Sequence, residues 1–579
     1  MNTHYTAEGN VQMLLALMKA HGVRRVVASP GTTNMSLVAS IQQDSYFKVF
    51  SSVDERSAAY IACGLAAESG EPVALSCTGA TASRNYLSGL TEAFYRKLPV
   101  LAITSTQHIG NIGQNVPQVI DRTTILNDVA KVSVHIPSFQ SDDDMWSSNL
   151  MINKALLELY HNGGGPVHIN LATTYSRDFS VKELPKTRVI NRIGYNNAFP
   201  EIKGSRIGIF VGAHKRWDRD TEKAVENFCE RYNGVVFCDH TSNYFGKYRV
   251  YPSLVTSQFH YNSPYRECDI LIHIGDVSGS PISMESKEVW RVNPDGEIRD
   301  TFRKLRYVFE MEEKTFFAQY TSLKESLNTT SYYEEWKNEC DILTAKIPEL
   351  PFSNPWIAQK MSEKISKGSV VHFGILNSLR AWNFCKIKNE ISCFCNTGGF
   401  GIDGIVSSMV GASLANQNTL YYGFVGDLAF FYDMNVLGNR HIGHNLRLLI
   451  VNNGRGQEFR NYNHPASRFK DDADAFMAAG GHFGKQSKTL LKHYAEDLGF
   501  KYISAVSKEE FLSNVDIFTE NSIVEKSIIF EVFTNTKDES DSVEILSNLT
   551  TSIKGAAKAT VKKVIGDEGV TKLKRILKK

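Results

Sequence analysis

LYYGFVGDLAFFYDMNVLGNRHIGHNLRLLIVNNGRGQ, residues 420–457, is the stretch whose reading decides the fold. LYYGFVGD reads as a buried parallel strand ending in Gly-Asp, DMNVLGNRHIG as the helix after it, and LRLLIVNN as the next strand, ending in two asparagines. Asp427 and Asn453 are thereby expected at the carboxyl ends of two strands, where open α/β sheets bind their ligands. A strand-end carboxylate beside a second oxygen-rich turn suits a divalent metal held against a diphosphate. Mg2+ asks for about six oxygens, drawn from carboxylates, carbonyls, phosphates and water. The same letters also fit an ordinary βαβ unit with polar strand ends.

A second segment, SSVDERSAAYIACGLAAESGEPVALSCTGATASRNYLSGLTEAFYRKLPVLAITST (residues 51–106), sets an acid, Glu55, where a short strand gives way to a helix. Small residues at Ala58, Ala59, Ala62, Gly64 and Ala66 allow that helix to pack closely. A helix-start glutamate favoured by the macrodipole is the plainer account of Glu55. Read together, the two segments point further. With 24 residues between Leu428 and Asn453, the GDL…NN pattern resembles the thiamine diphosphate motif of the acetolactate synthase, pyruvate decarboxylase and menaquinone-pathway enzymes. VDER resembles the pyrimidine-binding domain of the same enzymes, in which one glutamate hydrogen-bonds the cofactor's aminopyrimidine ring. A carboxyl is needed there because a proton shared with the ring nitrogen favours the tautomer that can remove the thiazolium C2 proton.

Composition agrees with a large globular enzyme. The chain has 579 residues, too long for one core, with 42% hydrophobic and 22% charged residues. A formal net charge of +2 argues against a general nucleic-acid binder. The amino terminus is amphipathic rather than a basic start with a long apolar run, and no segment reaches the ~18 uninterrupted apolar residues of a membrane span. Nine cysteines without a CxxC pair read as reduced, mostly buried thiols of a cytoplasmic protein.

The expected fold class is α/β, with three consecutive open parallel-sheet domains and a basic C-terminal helical tail. Residues 1–180 form a pyrimidine-binding domain, 181–204 a linker and 205–322 a middle Rossmann-like domain. A linker helix at 323–346, a diphosphate-binding domain at 347–540 and the tail at 541–579 complete the division. GxGxxG is absent from the middle block, so no dinucleotide is assigned there. An FAD of the kind acetolactate synthases carry has no supporting motif. No repeat or low-complexity tract interrupts the blocks.

The resemblance runs from Val11 to about Thr536 and points to one branch. SPGTTNMSL (Ser29–Leu37), VDERSAAYIACGLA, NTGGFGIDGIVSS (Asn396–Ser408) and GDLAFFYDMN look most like 2-succinyl-5-enolpyruvyl-6-hydroxy-3-cyclohexene-1-carboxylate synthase. That family clamps its substrates' carboxylates with arginines, and this chain departs from it at three of them. Thr33 stands at the first, Thr397 at the second and Trp382 at the third, with Arg380 shifted two positions. An arginine fork is hard to replace in carboxylate recognition.

The resemblance implies Mg2+ ligands in Asp427, Asn453 and the carbonyl of Arg455, whose side chain it leaves unassigned. Asn377 and Ser378 are expected to donate to the diphosphate, although a polar turn after a strand explains them as well. Gly401, Gly426 and Leu428 fall within the cofactor-binding motifs. Ile402 matches the apolar residue that supports the bent cofactor, and simple core packing explains it equally. Gln118 matches a glutamine facing the reaction centre. His108, His441 and His444 read as surface or packing residues, with His464 the one outside candidate for an acid–base group or substrate contact.

The expected function is thiamine diphosphate- and Mg2+-dependent decarboxylation of a 2-oxo acid, with pyruvate as default donor. The acyl unit passes to a carbonyl acceptor, either a second 2-oxo acid or a keto-sugar nucleotide. Simple non-oxidative decarboxylation, a menaquinone-pathway-like synthase with altered substrate, oxidase chemistry and a binding protein that keeps the fold without turnover are the alternatives. The resemblance also implies a homodimer or homotetramer, the glutamate-bearing domain of one subunit facing the metal-bearing domain of its partner. Residues 552–579 carry nine basic residues against two acids. Ile553, Ala557, Val561, Val564 and Ile565 share one helical face, suited to an anionic membrane surface, to a partner, or to weak packing on the protein itself.

Overall fold

The computed structural model describes residues 4–280, 282–322, 331–387, 391–481 and 487–550. Its sheets are purely parallel, as the long apolar strand segments require. Parallel strands need helical crossovers that cover both faces, so each strand can be apolar throughout. The chain divides into two compact units, Met1–Phe199 with Asp295–Glu310, and Pro200–Pro294 with Met311–Lys579.

The first unit holds β1 (Arg25–Ala28), β2 (Lys48–Ser51), β3 (Val73–Cys77), β4 (Val100–Thr106), β5 (Ser133–Ile136) and β6 (Val167–Ala172), in the order β2-β1-β3-β4-β6-β5. Helix Gly9–Ala20 buries Val11, Leu14, Leu15 and Met18 in the core on one side of this sheet. Helix Glu55–Ser69 buries the expected small residues Ala58, Ala59, Ala62 and Ala66 on the other. Their small size is used: a Cβ added at Gly89 would lie 2.4 Å from the Ala59 methyl. The stretch read as a linker contains one strand, β7 (Asn191–Ile193), which pairs with β13 (Leu305–Phe309) of the same unit. Three residues are too few to show a period of two, so nothing in the sequence marks it.

The second unit holds β8 (Ile207–Val211), β9 (Gly234–Cys238), β10 (Arg249–Val250), β11 (Glu267–Ile274) and β12 (Glu285–Val292), in the order β10-β9-β8-β11-β12. It also holds β14 (Val370–Phe373), β15 (Ser392–Phe394), β16 (Tyr421–Gly426), β17 (Leu446–Asn452), β18 (Lys501–Ala505) and β19 (Ile528–Phe533), in the order β15-β14-β16-β17-β19-β18. Position for position, this is the order of the first sheet.

Three local expectations need correction or qualification. The helix after β16 is Asp427–Asp433, followed by a 3-10 turn at Met434–Gly438, so DMNVLGNRHIG is not the helix. An acid in the first turn favours a start directly at Asp427, and Gly438-Asn439 ends the helical run. Helix Ser331–Ala345 fills most of the expected linker helix, whose first residues, 323–330, lie outside the described residues. Helix Thr536–Ser547 runs across residue 540 and is packed, with Leu546 buried and the Ser547 carbonyl accepting from the Phe259 N–H at 2.9 Å. The tail reading falls on residues 551–579, outside the described residues. No helix among the described residues is long and apolar enough to cross a membrane.

Candidate active site

The strand order of the third sheet reverses between β14 and β16, and the carboxyl ends of two such strands flank the crevice where doubly wound sheets bind ligands. Asn377 and Ser378 open the helix after β14, and Gly426-Asp427 lead into the helix after β16. Asn453 follows β17 directly. Gly454, at φ +79°, turns the chain back so that its N–H donates to Asp427 Oδ2 at 3.0 Å. Asn453 Oδ1 accepts from the Arg455 N–H at 3.4 Å.

Asp427 is 2% exposed, and burial pushes its pKa up to about 7 against the backbone N–H groups that favour its charge. Among the described residues no basic side chain neutralises it. A buried carboxylate without a counter-ion is costly. The asparagine amide oxygen and the Arg455 carbonyl on the adjoining turn complete an all-oxygen donor set, which fits a hard divalent cation better than a basic side chain. Two non-glycine residues with positive φ, Leu376 at +66° and Phe400 at +56°, directly precede the candidates Asn377 and Gly401. Such conformations cost on the order of 1–3 kcal/mol and cluster where a site must be held in shape. Ile402 is half-buried against a core that includes Ile405, Val425 and Phe430.

A polar network braces this turn. The Arg455 side chain, left without a role by the sequence, pairs with Asp474 at 2.5 Å, and Asp474 also holds Arg460 at 2.6 Å. The Gly456 N–H donates to the Ala478 carbonyl at 2.6 Å. Asn452 and Tyr502 donate to Glu531 at 2.7 and 2.8 Å. The Asn377 amide lies 3.1 Å from that of Asn461 and, in its better-satisfied orientation, accepts from the Glu458 N–H at 2.7 Å. These partners lie 14 to 84 residues apart, so no local pattern announces them.

Glu55 and Gln118 belong to the first unit. Glu55 begins helix Glu55–Ser69, capped by the Asp54 carboxylate, and accepts from Asn85 at 3.3 Å. Gln118 is exposed, at φ +64°. Its carbonyl oxygen would lie 2.5 Å from a Cβ at Gly79, so that turn tolerates only glycine. Arg122, four residues on, is buried; it donates to the Ser105 carbonyl at 3.0 Å, and burial lowers its pKa to about 10. Val53, Tyr60 and Ile61, within six residues of Glu55, are exposed, Val53 by 78%.

The positions where the family's arginines stand are turned inward. Thr33 is buried, bonded to the Thr78 hydroxyl at 2.6 Å and to the Ser105 carbonyl at 3.2 Å. Thr397 is buried. Trp382 is fully buried, its ring 4.1 Å from that of Phe424 and 5.3 Å from that of Phe373. Arg380 is ion-paired with Glu458. His464 caps the turn Pro465–Asp472, its Nδ1 accepting from the Ala466 N–H at 3.1 Å, with its ring edge-on to Phe459. His108, His441 and His444 are exposed.

Residues 10–125 match the family model described as thiamine pyrophosphate enzyme, N-terminal TPP binding domain. A 2-succinyl-5-enolpyruvyl-6-hydroxy-3-cyclohexene-1-carboxylate synthase of Bacteroides fragilis is 30% identical over 554 residues, covering 92% of this chain and 97% of that protein. Its namesake in Bacteroides thetaiotaomicron is 29% identical over 92% of this chain and 97% of its own length. That of Flavobacterium johnsoniae is 26% identical over 91% and 96%.

Proposed function

The chain belongs to the thiamine pyrophosphate-dependent enzymes, and from that premise we propose that it decarboxylates a 2-oxo acid and transfers the remaining acyl unit to a carbonyl acceptor. The observation that carries this reading is Asp427, a buried carboxylate at the switch point of a doubly wound sheet, with oxygen donors on the next turn and no cationic side chain among the described residues to neutralise it.

In this reading Asp427, Asn453 and the Arg455 carbonyl hold Mg2+, and Asp474 keeps the Arg455 turn in place. Asn377, Ser378, Gly426 and Leu428 surround the diphosphate, and Gly401 and Ile402 support the rings. Thiamine diphosphate, when bound, supplies a nucleophilic carbon for the 2-oxo carbonyl and a sink for the electron pair released with carbon dioxide. Glu55 holds a proton at its carboxyl against the aminopyrimidine, and Gln118 faces the reacting atoms. The exposed apolar residues Val53, Tyr60 and Ile61, within six residues of Glu55, support a second copy of the chain covering part of this segment, so the working unit is a homodimer or a larger homo-oligomer.

Pyruvate is the default donor. The relatives are named for a menaquinone-pathway synthase, and likeness over nine-tenths of the chain supports a synthase of that type with an altered substrate. Thr33, Thr397 and Trp382, all buried, argue against an acceptor gripped by arginine forks. Simple decarboxylation, with a proton as acceptor, is the nearest rival, separated by whether the acyl carbons appear in a longer product. Glu55→Gln keeps the shape but offers no shareable carboxyl proton. Exchange of the cofactor's C2 proton in D2O, followed by quenched-flow NMR, is expected to slow by a factor on the order of 10² or more. Exchange as fast as wild type would remove Glu55 as the activating acid.

A further inference from the structure

A cavity of about 500 Å3 opens in the second unit beside the candidate metal turn. It has the size of a small-molecule pocket, and one wall is continuous with that turn. Gln457 and Glu458 follow Arg455 by two and three residues, and Asn377 lines the same space. We propose that this cavity takes the carbonyl acceptor, and that the acceptor is a neutral, hydroxyl-rich molecule of sugar size. Its role as acceptor site rests on the thiamine reading; the ligand class rests on the walls.

Gln457 is 5% exposed. Its amide nitrogen is spent on Ser540 Oγ at 2.9 Å, while its Oε1 has no partner among the described residues. An enclosed acceptor without a partner is costly, and a ligand hydroxyl that reaches Oε1 as this wall adjusts supplies the missing donor. Ser253 and Ser280, 3.1 Å apart, and the amide of Asn461 also line the cavity and add groups that both donate and accept. Phe384 and Val543 give the apolar surface against which the C–H face of a sugar ring packs.

Charge excludes a dicarboxylate. Arg380, the one arginine on the wall among the described residues, is already paired with Glu458. Glu539, the other acid there, accepts from the Asn354 N–H at 3.0 Å and the Thr534 hydroxyl at 2.6 Å. Among the described residues no cation is left over to repay the desolvation of a carboxylate, whereas hydroxyls lose little by exchanging water for Gln457 and the serines. In the transfer itself, carbon dioxide leaves the donor, and a bond forms between the donor's carbonyl carbon and that of the acceptor. The acceptor's carbonyl oxygen takes up one proton and becomes a hydroxyl. No oxidant or reductant enters.

Saturation-transfer NMR on the holoenzyme, with D-fructose and succinate as probes, tests the assignment. D-fructose is expected to bind and succinate not. Gln457→Leu should weaken D-fructose by about tenfold, with Ser253→Ala as the milder second variant. Glu458→Gln, which leaves Arg380 unpaired, should bring in succinate binding. Calorimetry of thiamine diphosphate on the same samples separates the two readings. If the cofactor binds and D-fructose does not, or succinate binds the wild type more tightly, the acceptor proposal falls alone. If the cofactor itself does not bind, the thiamine reading falls with it.

Discussion

The crevice beyond β1 and β3 and the crevice beyond β14 and β16 occupy the same place in two sheets of identical strand order, yet their residues differ in kind. The first is lined by hydroxyls and glycine. Thr33 and Thr78 bond to each other, and Gly79 admits the Gln118 carbonyl. Nothing there calls for a metal. The second holds Asp427 buried against Gly454, with Arg455, Asp474 and Arg460 clamping the turn from behind. Shared topology thus places the crevice, and a few strand-end side chains decide what enters it.

The two also differ in preparation. Asp427 is enclosed and braced before any ligand arrives. Glu55 is half-buried, with Asn85 at 3.3 Å as its side-chain partner and exposed apolar residues near it in sequence. In the proposed reading the rigid, charged site takes the phosphate and cation, and the open one takes the ring.

The comparison breaks most visibly at Asp427. Asp427→Asn removes the charge while keeping the shape, and thiamine diphosphate affinity in the presence of Mg2+ is expected to fall by a factor on the order of 10² or more, with the far-UV circular dichroism unchanged. Affinity equal to wild type would move the metal elsewhere. A smaller loss is expected from Asp474→Ala, which frees Arg455 and loosens the turn without touching the ligands. Partners of this sort typically cost ~10- to 100-fold in metal affinity, read as the Mg2+ concentration needed for half-maximal cofactor binding. A requirement unmoved by the substitution would show that the turn holds its shape alone.

An effect on stability rather than affinity belongs to Glu539, buried near the same crevice, where burial raises its pKa from 4.5 to about 7. The unfolded chain gives up this proton near its ordinary value and the folded chain only near 7. Stability is therefore lost as pH rises between those values, by up to a few kcal/mol. Glu539→Gln has no proton to lose, so its melting temperature should gain on wild type between about pH 5 and pH 7. Parallel pH profiles would mean that Glu539 ionises in the fold without penalty.

How much of this was legible in the sequence follows from the range of each interaction. The strands β16 and β17 and the placing of Asp427 and Asn453 at their ends came from apolar runs bounded by GD and NN, a signal contained in 38 residues. The helix after β16 was placed too late because the acid that starts it was counted as the end of the strand. β7 escaped because three edge residues carry no period. The Arg455 side chain carries no role in the sequence because its partner lies 19 residues away, in the short helix Ala473–Phe476, and the Arg380–Glu458 pair spans 78. Trp382 stood out as a substitution for arginine, but only packing shows where it went: into the core against Phe424 and Phe373. Its truncation to alanine would open a cavity costing ~3–5 kcal/mol.

The most direct test of the central claim is a calorimetric titration of the wild-type chain with thiamine diphosphate, first in Mg2+ and then after metal removal with EDTA. The account predicts one site per chain, saturable in Mg2+, lost in EDTA and restored when Mg2+ is returned, because Asp427 and the diphosphate repel each other without the cation between them. Binding that is absent in Mg2+, or equally tight in EDTA, would contradict it.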